Sequence, residues 1–175
     1  MRIAIYTSIA LIALGLGMLT RLWLGEMPRV PTQVMIDPNL AFSGLDGRPH
    51  RLDEWRDKVL VVNFWATWCS PCLKEIPAFA KLQTELGERG LQFIGLAIDD
   101  TESVKRLLAD MPIVYPLLIA EDGGIALAER WGNRLGVLPF TAVFDRAGRL
   151  VTVRQGVFDL DDLRKVVEPL LAPRE

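Results

Sequence analysis

The sequence predicts an α/β fold in which a mixed central sheet is flanked by helices, and three features of the chain predict it. Residues 59–65, Val-Leu-Val-Val-Asn-Phe-Trp, form a nearly continuous apolar, β-branched run, as in a strand covered on both faces. Segments with helical spacing and segments with strand character then alternate to the C-terminus, as in a sheet with helices laid on it. Ahead of the long strand, Asp46-Gly47 between short apolar stretches marks a β-hairpin.

Composition sets the limits. The 175 residues are 50% hydrophobic and 24% charged, with a formal net charge of -2 and two cysteines. These near-average values exclude a disordered chain, a collagen-like repeat and a disulfide-scaffolded mini-protein. The mean hydropathy of +0.24 is high for such a composition. The excess lies in residues 3–20, which carry no charge and are bracketed by Arg2 and Arg21. That run spans about 27 Å as a helix, and about 33 Å counted on through Leu24 with Arg21 snorkelling, enough for a hydrocarbon core of about 30 Å. Residues 1–25 are therefore expected to form an uncleaved membrane anchor. The competing reading is a cleaved signal peptide with Gly15 or Gly17 near its cleavage site, but the run exceeds the usual apolar region of such peptides. No cysteine precedes Cys69, which excludes a lipoprotein anchor. The charges flanking the run are nearly balanced and leave its orientation open.

Residues 26–39, with Pro28, Pro31 and Pro38, read as an extended tether, and the folded domain is expected at 40–172. With Arg2 and Arg21 set aside, 18 basic residues stand against 22 acidic ones, a net of -4. Such a domain has no electrostatic case for binding nucleic acid and no basic stripe for anionic lipid.

Within the domain the hairpin spans 42–50, and a helical turn follows at 53–56. After the strand at 59–65, helical spacing occupies 70–86, a second strand run covers 91–98 and a helix covers 102–109. A short strand is expected at 116–120 and a short helix at 125–131. Residues 141–145 and 150–155 form a hairpin around Ala147-Gly148, and a helix at 160–171, with leucines and valines at helical spacing, closes the chain.

Both cysteines lie in Trp68-Cys69-Ser70-Pro71-Cys72, directly after the buried strand and at the start of a helix. A thiol there meets free backbone N–H groups and the positive end of the helix dipole, which favour the thiolate, so Cys69 is expected to be the nucleophile and Cys72 its resolving partner. Three residues along a helix place both sulfurs on one face, close enough to form and break a disulfide. Pro71 fits a first helical turn, where its missing N–H costs nothing. A zinc site needs four ligands, and the rest of the chain offers no cysteine and only His50. Copper delivery favours extra His or Met near the pair, and the methionines do not cluster there. A structural disulfide closing so small a ring would restrain little of the unfolded chain. No metal and no cofactor other than the cysteine pair is expected.

On the helix, Glu75 falls near 300° when Cys72 is set to zero, inside the arc formed by Ile76, Phe79, Leu82 and Leu86, whereas Lys74, Lys81, Glu85 and Glu88 cluster on the opposite side. Burial raises a carboxyl's proton affinity, which makes Glu75 a candidate proton donor and acceptor for Cys72. The competing reading is a helix-edge glutamate that reaches water. Of Asp99 and Asp100, one is expected to cap the next helix. Trp65 and Trp131 are expected to be packing residues, His50 a solvated loop residue, and Trp68 part of the client surface.

The chain resembles the membrane-tethered, thioredoxin-like proteins of the TlpA/ResA/DsbE group over roughly residues 40–171. The resemblance is carried by Val-Val-Asn-Phe-Trp-Ala-Thr-Trp-Cys-Ser-Pro-Cys at 61–72, Glu75-Ile76-Pro77, Gly136-Val-Leu-Pro-Phe-Thr141 and Phe144-Asp-Arg-Ala-Gly148. It implies a thioredoxin-like fold, a helix kinked at Pro77 and a cis-proline at Pro139 facing the cysteines. Trp68, Pro71, Leu138, Pro139 and Phe140 would then form the client-binding surface, with Phe140 departing from the small polar residue common in the group. It further implies a thiol-disulfide oxidoreductase on the outer face of a bacterial inner membrane, its C-terminal domain periplasmic. Such an enzyme reduces client disulfides, for instance of apocytochrome c or a copper-site protein, and is recharged by a membrane electron donor. Two alternatives stay open: a disulfide-forming oxidant, against which the absence of histidine between the cysteines counts, and a copper-binding or chaperone module using the thiols as ligands.

Overall fold

The computed structural model describes residues 34–172. Its elements run β1 (Ala41–Gly44), β2 (Pro49–Arg51), a 3-10 turn (Leu52–Trp55), β3 (Val59–Trp65), α1 (Ser70–Leu86), β4 (Leu91–Ala97), α2 (Thr101–Asp110), β5 (Leu117–Ile119), α3 (Glu121–Arg130), β6 (Phe140–Phe144), β7 (Leu150–Gln155) and α4 (Leu160–Leu170). The strands form one mixed sheet in the order β2-β1-β5-β4-β3-β6-β7. The β3–β4 and β4–β5 pairs are parallel and the others antiparallel. This is the predicted α/β architecture, with thioredoxin-like order.

β3 lies inside the sheet, and all seven of its residues are buried. Its pleat divides the core. Val59, Val61 and Trp65 join Ile76, Phe79 and Leu82 of α1, Val104 of α2, and Leu163 and Val167 of α4 on one face. Leu60, Val62 and Phe64 join Leu127 and Ala128 of α3, Trp131 and Leu52 on the other. Phe79 stacks on Phe93 with ring centroids 5.1 Å apart, and each fully buried ring contributes roughly 1.5–3 kcal/mol. Trp131 meets Phe64 and Phe144 edge-on, so it packs as expected.

Three elements differ from the sequence reading. α3 begins at Glu121 rather than 125, and includes the Gly123-Gly124 pair that hid its first turn. Gly124 allows close approach there, because a Cβ would stand 3.2 Å from Cγ1 of Ile98 and 2.8 Å from Cβ of Ala120. His50 is half-buried in β2, bonded through Nδ1 to Glu54 at 3.0 Å and stacked on Trp55, rather than solvated in a loop. Val34–Ile36 fall within the expected tether but pair with the β6–β7 hairpin through Ile36 N–H to Gly148 O (2.9 Å) and Leu150 N–H to Val34 O (2.8 Å). The expected anchor and residues 26–33 of the tether lie outside the described residues. Among the described residues no helix is long and apolar enough to cross a membrane.

Arg146 ties the sheet end opposite the cysteines together. Its guanidinium donates to the carbonyls of Asp57 (2.8 Å), Arg89 (3.0 Å) and Leu171 (3.4 Å), joining the β3 entry, the β4 entry and the end of α4. A charged donor shared by three carbonyls contributes more than a neutral one. Arg146→Met is expected to lower the unfolding free energy by about 2 kcal/mol in urea titration while leaving the Cys69–Cys72 reduction potential unchanged.

Candidate active site

The site is built where β3 ends. Ala66, Thr67 and Trp68 turn the chain into α1, and Asp99, at the end of β4, holds that turn by accepting from both the backbone N–H (3.0 Å) and the hydroxyl of Thr67. Asp100 is the aspartate that caps α2, accepting from Ser103 N–H at 2.9 Å. The two adjacent carboxylates thus have separate tasks, one of which the sequence left without a role.

Cys69 is the N-cap of α1 and is joined to Cys72 by a disulfide, with Cα atoms 5.3 Å apart. The Cys72 N–H donates to Sγ of Cys69 at 3.3 Å. On reduction that same N–H, with the positive end of the helix, stabilises a thiolate on Cys69. Cys69 is 5% exposed and Cys72 is fully buried, so the first sulfur is the one an incoming disulfide reaches. Pro71 stands exposed in the first turn, and Trp68 is 70% exposed beside it.

The Leu138–Pro139 peptide is cis. It precedes β6, whose first residue pairs with Phe64 near the end of β3, and this brings the proline to the same end of the sheet as the cysteines. Leu138 packs against the cluster that contains both of them. Asn133 fixes the approach to this peptide, its side chain accepting from Val137 N–H (3.2 Å) and donating to Val137 O (2.9 Å). Leu138 itself makes no backbone hydrogen bond among the described residues, which leaves an edge that an extended peptide can pair with. The expectation for Phe140 is corrected: its side chain is fully buried on the opposite face of the sheet, 5.5 Å from the Phe64 ring, because the pleat turns it away from the cysteines. Leu135 and Val157, exposed beside the same loop, were not singled out from sequence.

Glu75, one turn beyond Cys72, is 4% exposed. Its Oε1 accepts from Asn63 Nδ2 at 2.9 Å and its Oε2 from Phe158 N–H at 3.1 Å. Burial pushes its carboxyl up to about 7, and the two hydrogen bonds pull the other way without cancelling it. Glu75 therefore lies on the buried face of α1, as its helical position predicts. Asn63 and Thr141, directly opposite each other on β3 and β6, supply the polar surroundings. The signal that could have found Asn63 is its presence as an amide inside an otherwise apolar strand.

A disulfide that closes a four-residue loop restrains little of the unfolded chain, and one whose outer sulfur already rests on a helix N-terminus opens readily to a thiolate. A buried carboxyl with a proton affinity near neutrality stands one turn along the helix from Cys72. Fold and site together define the class of thioredoxin-like thiol-disulfide oxidoreductases, which act on the thiols or disulfides of client proteins. The chain belongs to the Redoxin family, whose model matches residues 29–168. It is 27% identical over 134 residues to the thiol-disulfide oxidoreductase ResA of Geobacillus thermodenitrificans, covering 76% of this chain and 75% of that protein. It is 31% identical over 119 residues to ResA of Halalkalibacterium halodurans, covering 67% and 65%. Among solved structures, a thiol:disulfide interchange protein from Chlorobium tepidum superposes with a TM-score of 0.69 at 27% identity, covering 82% of this chain and all of that one. A thioredoxin-related protein from Neisseria meningitidis gives 0.65 at 30% identity, covering 74% and 97%.

The raised affinity of Glu75 has a thermodynamic sign. Unfolded, it ionises near 4.5, and folded, near 7, so between these values the folded protein holds a proton that the unfolded chain has released. Its contribution to stability accordingly falls as pH rises through that window and is level above it. The difference in unfolding free energy between the oxidised protein and Glu75→Gln, followed by denaturant titration across pH, is expected to trace that fall. A difference independent of pH is the outcome that contradicts it.

Proposed function

We propose that this protein is a membrane-tethered reductant of client disulfides, acting outside the cytoplasm of a bacterial cell. The Cys69 thiolate attacks one sulfur of a client disulfide, forming a mixed disulfide and releasing one client thiolate. Cys72 gives its proton to the Glu75 carboxylate, and its thiolate attacks Sγ of Cys69. The second client sulfur leaves as thiolate, two electrons have passed to the client, and the Cys69–Cys72 disulfide remains. A membrane electron donor then returns two electrons to it. No metal or other cofactor takes part in this reading.

The observation that carries the exchange step is the buried Glu75 carboxyl one turn from Cys72, with a proton affinity near neutrality, where an acid–base group works in both directions. The reductive direction is supported by the Ser70-Pro71 dipeptide, which has no histidine to destabilise the disulfide. Trp68, Pro71, Leu138 and cis-Pro139 form the client surface in this reading, with the free backbone of Leu138 pairing with an extended segment. The anchor rests on the uncharged run at residues 3–20, with the C-terminal domain in the periplasm and the chain crossing the inner membrane once. Apocytochrome c haem-site thiols, or those of an assembling copper centre, are the client chemistry that resemblance to the ResA and DsbE group favours.

Two measurements test the reading. The full-length Cys72→Ser chain, expressed in cells, is expected to accumulate mixed disulfides in the membrane fraction, and Cys69→Ser is expected to accumulate none. The Cys69–Cys72 potential is expected near thioredoxin's, about −270 mV, and a value near about −120 mV would make the protein an oxidant.

A further inference from the structure

Asn63 stands in the middle of β3, opposite Thr141 of β6 and Gly95 of β4. Its Nδ2 donates twice, to Glu75 Oε1 at 2.9 Å and to Thr141 Oγ1 at 3.0 Å. Its Oδ1, equally buried, has no donor among the described residues. A buried carbonyl oxygen left unpaired costs roughly 1–3 kcal/mol, so the imbalance calls for a physical account.

The two acceptors share one property: each can also donate. The Thr141 hydroxyl hydrogen swings about its C–O bond, and Glu75 becomes a donor once it takes a proton. Because Phe158 N–H holds Oε2, Oε1 is the oxygen left to carry that proton. An O–H at Oε1 would then face the Asn63 N–H, two donors against each other. Turning the amide end for end about χ2 removes the conflict, since Oδ1 comes to stand where Nδ2 stood and can accept from both neighbours.

We propose that Asn63 is the positioning residue of the proton step, an amide that reverses with the charge on Glu75. It donates from Nδ2 to the carboxylate and to Thr141, and after Glu75 has taken the Cys72 proton it accepts at Oδ1 from the carboxylic acid and from Thr141. The orphaned oxygen of one state is the working acceptor of the other. The inference rests on the reading of Glu75 as the acceptor of the Cys72 proton. The other titratable groups near Glu75 do not compete for the amide. Tyr115, from the segment ahead of β5, is held protonated by burial and by the Glu75 charge. Arg154 lies over the Phe158 ring and Asp159 is turned to the N-terminus of α4. Among the described residues no charged side chain is paired with Glu75 itself.

Nuclear magnetic resonance of the full-length chain, with the Asn63 amide and the Glu75 carboxyl carbon both observed across pH, tests this directly. The expected result is a change in the Asn63 NH2 signals with the midpoint of the Glu75 carbon, together with loss, on the acid side, of the proton–proton contacts between that NH2 group and Thr141. Contacts that persist while Glu75 titrates overturn the reversal and leave the role of Glu75 standing. A Glu75 carbon that does not titrate overturns both. In Asn63→Leu, the pH midpoint of the Glu75 carboxyl carbon is expected to rise, by about two- to tenfold in proton affinity, since the bond to the carboxylate is stronger than the bond from the acid. An unmoved midpoint with lowered stability alone marks a merely structural residue and overturns the proposal.

Discussion

The structure is organised around one unfavourable act, the burial of a carboxyl group inside an apolar helix face. An isolated carboxylate there would be costly, and the protein responds in two ways: it lets the group hold its proton more tightly, and it supplies two donors that keep the charged form accessible. Those donors come from widely separated parts of the sequence. Asn63 belongs to the strand that ends in the redox motif, and the Phe158 N–H belongs to the segment that starts the last helix. Neither the motif nor the helix that carries it is sufficient alone, because the polar surroundings of the carboxyl need the sheet closed by β6 and the chain returned past β7.

The register between β3 and β6 serves two purposes at once. It sets Asn63 against Thr141 on the face of α1 and Phe64 against Phe140 on the other. It also fixes where β6 begins, and so holds the cis peptide at the end of the sheet where β3 turns into the cysteines. A slip of one residue would exchange the faces, placing Phe140 over the carboxyl and Thr141 in the aromatic cluster around Trp131. The polar layer and the placement of the cis peptide therefore stand or fall together.

Much of this was legible in the sequence. The strand at 59–65, the helix carrying both cysteines and the inward-facing Glu75 all follow from local periodicity, which acts over a few residues. What periodicity could not supply was partnership across the chain. Asn63 and Thr141 are separated by 78 positions, and nothing local in either announces the other. Phe140 was misplaced for a related reason: nearness to Pro139 in sequence says nothing about which face of the pleat a side chain takes. His50 looked like a loop residue because its partners, Glu54 and Trp55, gather only once the 3-10 turn forms. The first turn of α3 was hidden because two glycines weaken helix propensity, and close packing on Ile98 overrides that weakness.

The pairing of Val34–Ile36 with the β6–β7 hairpin also has a mechanical side. That hairpin turns beyond Phe144, which pairs with Leu60 at the start of β3, whereas the disulfide follows the other end of the strand. Seven strand residues at about 3.3 Å each set the two poles roughly 20 Å apart. Force applied to the chain at Val34 would therefore enter the domain at its blunt pole, a full strand length from the reactive one.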